Sequence, residues 1–264
     1  MNFDEQTGAT DREVLAALAR EVLEARGFLV DMSPGVRKEV AGLGGPASPS
    51  GLRDLTGLPW CSIDNDDSRD LDQLTYAEAA GDGDRIYVAV ADVDEVLPRD
   101  GPSDRRALAN TTSLYPPARM IPMLHEGLST DLTSLNEGQV RAAVVVAMEV
   151  DPHGRVRAEE VFRAQVRNRA QLAYDGVACW LDGDGPAPPA IAKVSGLPET
   201  LRRQDQVARR LRTQRARRGA LELSTIEPRA VFVAGAMTAL EVEVKNGARR
   251  LIEDFMIAAN VVVA

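Results

Sequence analysis

The stretch Ser62-Ile63-Asp64-Asn65-Asp66-Asp67-Ser68-Arg69-Asp70-Leu71-Asp72-Gln73 sets five aspartates within nine positions, directly after the apolar lead-in Leu58-Pro59-Trp60-Cys61. Carboxylates so crowded repel one another when ionised, and a cation among them removes the repulsion. If Asp70-Leu71-Asp72 is extended, its two carboxylates project to one face while Leu71 points into a core. Asp64 then reaches the same spot from the far side of the loop. Hard oxygen donors of this kind suit magnesium, with manganese as the alternative ion, and the waters such an ion retains can yield to a phosphate. An EF-hand loop competes, because Asp64, Asp66 and Ser68 fall at its first, third and fifth positions. It fails on Arg69 at the glycine position and Thr75 at the bidentate glutamate position. On composition alone, a solvated acidic turn remains the alternative.

The chain has 264 residues and a formal net charge of −9. That length holds one large domain, or one domain with a small appendage. No apolar run reaches the roughly 18 residues of a membrane span, and Met1-Asn2-Phe3-Asp4-Glu5 lacks the basic-then-apolar order of a secretory signal. The expected compartment is the cytoplasm, with no membrane partner. Cys61 and Cys179 have no thiol or histidine at zinc-ligand spacing and are expected to be buried and reduced. His125 and His153 have no triad or ligand context. The acidic total argues against a polyanionic partner, yet its distribution is bipolar. Acid gathers between Asp64 and Asp104, whereas Arg202, Arg203, Arg209, Arg210, Arg212, Arg215, Arg217 and Arg218 face only Asp205 nearby. Such a run is either a solvated helix face or a phosphate-facing surface.

Thr10-Asp11-Arg12-Glu13 has the form of a capping box, and Val14, Leu15, Leu18, Val22 and Leu23 follow at helical spacing, predicting a helix from about 11 to 26. Ser33-Pro34 opens a second short helix to about 40. The Gly- and Pro-rich stretch 42–51 reads as a linker. Segments 74–78 and 85–91 alternate as strands around Gly81-Asp82-Gly83, and 142–150 pairs with 156–162 across Asp151-Pro152-His153-Gly154. Helices are expected over 172–181, 198–218 and 248–264, with short strands near 230–232 and 241–244. The last helix stops without a cap, so the chain looks cut short. These patterns predict an α+β fold, a curved and mostly antiparallel sheet flanked by helices and preceded by a small helical segment.

The ordered blocks resemble the ribonuclease II-type (RNB) exoribonucleases from about Leu52 onward. Asp64 through Asp72 is similar to the family's magnesium loop, and Val88-Ala89-Val90-Ala91-Asp92-Val93 to the strand that follows it. Thr112-Ser113-Leu114-Tyr115-Pro116, Ile121-Pro122-Met123-Leu124, Leu128-Ser129 and Ser134-Leu135-Asn136 resemble the next block. Leu172-Ala173-Tyr174-Asp175 and Ile252-Glu253-Asp254-Phe255-Met256-Ile257-Ala258-Ala259-Asn260 resemble two later ones. The resemblance implies a magnesium-dependent hydrolase that shortens single-stranded RNA processively from its 3′ end to nucleoside 5′-monophosphates. It implies Asp64, Asp70 and Asp72 as metal-holding catalytic residues, and Tyr115 and Tyr174 as aromatics against the last nucleotides. Glu253 would approach the terminal ribose, while Arg217 and Arg218, at the end of the arginine run, would face RNA. The first 50 residues lie outside the resemblance, so the expected division is an N-terminal helical segment and linker, 1–50, and an RNB-like catalytic domain, 51–264.

Two departures stand out. The family usually has a fourth aspartate where this chain has Gln73, whose amide oxygen can still ligate a hard cation but brings no charge. The family's catalytic domain also continues past the helix on which this chain ends, so the remainder of the domain, or a partner chain supplying it, is expected to complete the site. Cold-shock domains have no room before Leu52. A catalytically impaired RNB-like module that binds RNA or protein is therefore the second reading, and a metal-dependent phosphatase or nuclease of another class the third.

Overall fold

The structure, a computed structural model, describes residues 9–45, 51–221, 228–242 and 245–264. Its helices are α1 (Asp11–Ala25), α2 (Pro34–Ala41), α3 (Pro102–Asn110), α4 (Tyr174–Asp182), α5 (Pro189–Lys193), α6 (Leu197–Arg217) and α7 (Gly247–Val263). Its strands are β1 (Arg53–Asp54), β2 (Cys61–Asp64), β3 (Gln73–Ala80), β4 (Gly83–Ala91), β5 (Val140–Val150), β6 (Val156–Arg167), β7 (Ala170–Ala173), β8 (Pro228–Val233) and β9 (Ala236–Val242). The centre of the expected linker, 46–50, and the end of the last expected strand, 243–244, lie outside the described residues.

The chain divides into two compact units. The larger comprises Gly44–Val96, Gly127–Glu222 and Lys245–Ala264. It holds a seven-stranded sheet in the order β1-β6-β5-β4-β3-β2-β7. The central pairings are antiparallel, and only the outer pairs β1–β6 and β2–β7 are parallel. Strand alternation sorts the side chains into two cores. Cys61, Ile63, Ala77, Ile86, Val88, Val146 and Met148 pack with Val177, Leu201, Leu211, Leu251 and Phe255 of the helices. On the other side Trp60, Leu71, Leu74, Ala89, Leu135, Val145 and Val166 form a second cluster. The β3–β4 connection is the expected tight turn, with Gly81 at φ +56°, a left-handed conformation that glycine adopts without a Cβ penalty.

Because β2 is short, it leaves part of β3 without a strand neighbour on that side. Thr200 of α6 fills the place: its hydroxyl accepts from the Ala77 N–H at 2.9 Å and donates to the Ala77 carbonyl at 2.7 Å. One turn further along, Gln204 accepts from the buried Thr75 hydroxyl at 2.7 Å. The arginines of α6 are mostly spent on the fold. Arg203 and Arg210 both reach Asp84 at the start of β4. Arg212 and Arg215 grip Asp254 of α7, each with a contact at 2.7 Å.

The smaller unit comprises Met1–Leu43, Leu97–Glu126 and Leu223–Val244. The expected capping box forms, with the Glu13 carboxylate accepting from the Thr10 N–H at 2.8 Å and the Thr10 hydroxyl accepting from the Glu13 N–H at 3.4 Å. Ser33 caps α2 through the Val36 N–H. Helix α3 starts at Gly101, which has no side chain to cap with, and Glu39 of α2 supplies an acceptor to the Ser103 N–H at 2.8 Å. The start of α1 meets the β8–β9 hairpin through Arg12 N–H to the Gly235 carbonyl and Met237 N–H to Asp11.

Two expectations need correction. Leu172 and Ala173 do not begin a helix: they are extended in β7, parallel to β2, where Leu172 is buried opposite Ile63. Cys179 is exposed on α4, whereas Cys61 is buried as expected. Its position on the outward turn of a short amphipathic helix could not be read from cysteine spacing. No helix among the described residues is long and apolar enough to cross a membrane.

Candidate functional site

Asp64 is the last residue of β2, and Asp70 and Asp72 lie on the segment that leads into β3. The intervening loop is held by backbone contacts rather than left free. Ser68 N–H closes a turn on the Asn65 carbonyl. The Ser134 hydroxyl accepts from the Leu71 N–H at 3.0 Å and lies 3.1 Å from the Arg69 carbonyl. Leu135 N–H donates to the Leu71 carbonyl, and Ala91 N–H to that of Asp72. Leu71 is fully buried, Asp70 half-buried and Asp72 exposed, the alternation expected of an extended Asp-Leu-Asp.

The electrostatics centre on Asp64, a buried carboxylate that no cationic side chain among the described residues pairs with. Asp64 is only 8 % exposed. Burial pushes its carboxyl up to about 7, with the charge of Asp72 adding to the shift and the Gln73 amide opposing it. Asp72 is raised as well, first by the protein atoms crowded around it, although one side of it meets solvent, and then by Asp70. Gln73 turns its amide nitrogen toward Asp64 and donates to Oδ1 at 3.0 Å. The other oxygen, Oδ2, is buried without a hydrogen-bond partner. No three His, Cys, Asp or Glu side chains among the described residues converge as a ready-made metal cluster. The donor chemistry nonetheless fits a hard cation, because a buried carboxylate oxygen with no donor facing it costs about 1–3 kcal/mol or more until something positive arrives.

The remaining expected site residues are distributed unevenly. Tyr174 opens α4, and the Arg249 guanidinium lies over its ring, 4.5 Å from the centroid. Arg249 also donates to Asn65 Oδ1 at 2.6 Å, next to Asp64 in sequence. Glu253 follows Arg249 by one helical turn on α7 and pairs with Lys245 at 3.2 Å, both side chains nearly half exposed. The aspartate loop, Tyr174 and the Glu253 helix therefore meet in one unit. Tyr115 belongs to the smaller unit, exposed beside the Leu114–Ile121 bridge. Arg217 and Arg218 lie at the exposed end of α6. Among the described residues they differ from Arg203, Arg209, Arg210, Arg212 and Arg215, each of which meets an aspartate.

Sequence reasoning passed over Arg249, and it quoted Ser134 within a block without assigning it a task. A serine 63 positions from its partner gives no local signal. The one clue for Arg249 was its i, i+4 spacing to Glu253.

The chain is similar over most of its length to known proteins. The RNB domain model matches residues 52–264. Ribonuclease R of Vibrio cholerae is 35% identical over 231 residues, covering 86% of this chain and 28% of that protein. The structure of Mycoplasma genitalium RNase R in complex with ribose-methylated single-stranded RNA superposes with a TM-score of 0.85 at 26% identity, covering 94% of this chain and 39% of that one. The same enzyme in complex with double-stranded RNA also gives a TM-score of 0.85, over 44% of its chain. The sequence thus spans less than half of the length of these relatives. With the domain model matching residues 52–264 and a relative 35% identical over 86% of this chain's length, the chain belongs to the RNB-domain, ribonuclease R/II family.

Proposed function

We propose that this chain carries the metal-holding and 3′-end-binding part of a cytoplasmic, magnesium-dependent 3′–5′ exoribonuclease that degrades single-stranded RNA processively to nucleoside 5′-monophosphates. The observation that carries the reading is Asp64: buried, with an unpartnered oxygen, and within electrostatic reach of Asp70 and Asp72 across a loop that the fold holds in place. In this reading Asp64, Asp70 and Asp72 hold magnesium, or manganese in its stead. Such an ion, when bound, lowers the pKa of water and neutralises charge building on the phosphate.

The protein's own contributions are positional. Gln73 engages Asp64 Oδ1 and leaves Oδ2 for the cation. Ser134 and Leu135 hold the backbone between Arg69 and Leu71, so the two downstream carboxylates keep their alternation. Tyr174 offers an aromatic surface to a terminal nucleotide, a contact worth about 1–3 kcal/mol per base. Glu253 accepts from the 2′-hydroxyl that marks RNA, and it can leave Lys245 at little cost because exposed ion pairs are weak. Tyr115 is a second aromatic contact, and Arg217 and Arg218 meet phosphates. The remainder of the domain, on the same chain or a partner, completes the site.

The test is digestion of 5′-labelled single-stranded RNA by the longest obtainable version of this chain, with and without magnesium, beside the same RNA blocked at its 3′ hydroxyl. The expected result is a ladder that shortens from the 3′ end and vanishes on chelation or blocking. Intact RNA that still shifts on a gel overturns the catalytic reading. It would favour instead an RNB module that binds without turnover, the reading supported by Gln73 presenting a donor, not a carboxylate, to Asp64.

A further inference from the structure

We propose that Asn168, at the corner between β6 and β7, is a positioning residue that sets the spacing between Asp64 and the pair Asp70 and Asp72. The inference rests on the reading of these aspartates as metal-holding. Asp64 ends β2, and Asp70 and Asp72 lead into β3, yet among the described residues the two strands are in register at Cys61 and Thr75 alone. The sheet ladder therefore stops short of the carboxylates, and side chains hold the two halves of the loop together. Gln73 does so at the carboxylates themselves, through its bond to Asp64. Asn168, only 1 % exposed, joins the segments that carry them.

The amide nitrogen of Asn168 donates at 3.0 Å to the hydroxyl of Ser62, two residues before Asp64, and at 2.9 Å to the Leu135 carbonyl. Leu135 in turn donates its N–H to the carbonyl of Leu71, between Asp70 and Asp72, while the Ser134 hydroxyl accepts from the Leu71 N–H. One planar amide thus links the strand that ends in Asp64 with the clip on the Asp-Leu-Asp segment. Its orientation is fixed, because the nitrogen faces a carbonyl, which only accepts, and the oxygen accepts from the Ala170 N–H at 3.1 Å. An ionised carboxylate could make neither donation and a hydroxyl only one. The same corner reaches the middle of the loop through Gln171, whose amide donates to the Ser68 carbonyl at 3.2 Å, but Gln171 is exposed. Ser62, Ser134 and Leu135 are as buried as Asn168. Removing the Asn168 amide strands buried polar groups on both segments and frees them to move apart.

The test reads manganese binding to the full chain by electron paramagnetic resonance, in which the sharp signal of the free ion is lost on binding. We compare the unmodified chain with Ser62→Ala, Asn168→Ala, the two combined, and Met148→Ala, with urea melts to rank their stability. Met148 is buried opposite Ile86, toward the end of β4 away from the loop, so its truncation lowers stability without touching the site. Asn168→Ala should weaken manganese binding about tenfold, the loss expected when a residue that orients ligands is removed. Ser62→Ala should weaken it about threefold, and should add nothing in the Asn168→Ala background, because its effect runs through that amide. Met148→Ala should bind within about twofold of the unmodified chain. An unchanged affinity in Asn168→Ala overturns the proposal, as does an equal loss in Met148→Ala, since stability alone would then account for it. A fully additive loss in the combined variant overturns it too. Should Asn168→Ala fail to fold, Ser62→Ala decides, and an unchanged affinity there overturns the proposal. If the unmodified chain binds no manganese, the metal-holding reading falls and this inference with it.

Discussion

Asp64 and Asp254 are both buried aspartates in the larger unit, 8 % and 1 % exposed, yet their surroundings are opposite. Asp254 is gripped by Arg212 and Arg215; burial pushes its carboxyl up and the two guanidinium groups pull it back. Asp64 has one amide donor, two further carboxylates in electrostatic reach and no guanidinium or ammonium partner among the described residues. A buried charge without a partner is normally removed or neutralised. Where it persists beside other carboxylates, the compensating charge is expected from outside the chain. The contrast separates acid that builds the fold from acid held ready for a ligand.

The largest expected effect sharpens that separation. Asp72→Asn should reduce magnesium-dependent hydrolysis by about a hundredfold or more, with RNA affinity within about threefold and stability within about 0.5 kcal/mol of the unmodified chain. Gel-based decay rates and urea melts check it together, and a loss of stability comparable to the loss of rate would erase the distinction. Asp254→Ala should do the reverse. It strands two arginines and should cost about 2–3 kcal/mol in urea denaturation, below the usual range for a broken buried pair because both guanidinium groups are about a third exposed. A cost under about 0.5 kcal/mol would remove Asp254 from the framework.

Between these lies Ser134→Ala, which leaves the buried Leu71 N–H without its acceptor and should cost about 1–2 kcal/mol. Manganese affinity, measured by electron paramagnetic resonance, should fall with it, since the loop loses its clip; an unchanged affinity would mean that the loop needs no holding. Asp64→Asn should run in the opposite direction. Without divalent ions the isosteric amide removes a charge that burial disfavours, so stability should stay equal or rise by about 1 kcal/mol while manganese binding is lost. A marked destabilisation would class Asp64 with Asp254. The smallest effect is expected for Arg217→Ala with Arg218→Ala. The double change should leave the melt unmoved and lower the salt dependence of RNA binding by about two counterions at most.

Much of this was legible in the sequence because the deciding signals are local. The Thr10–Glu13 capping box, the Ser33 cap, the Gly81 turn and the strand runs of β3 to β6 each depend on neighbours a few residues apart, and each formed close to where it was expected, although β6 runs on to Arg167. The aspartate run could be read as a site for the same reason. The illegible parts are long-range. An arginine run looks uniform in sequence, and only the positions of Asp84, Asp182 and Asp254 divide it into structural arginines and the exposed pair at its end. Leu172 and Ala173 read as helix because apolar spacing over four residues cannot distinguish a short edge strand from a first turn. Arg249 was hidden because its partners, Asn65 and Tyr174, lie far upstream.

The Thr200 hydroxyl on β3 has a consequence for how this sheet meets other chains. An open strand edge is a template on which a foreign segment can add itself, the route to strand exchange and to aggregation. At Ala77 both ladder groups are occupied by one side chain from α6, so an incoming strand finds neither donor nor acceptor there. The helix thus acts as a guard on the sheet margin, and Thr200→Val, similar in shape but without the hydroxyl, would leave that margin open to self-association.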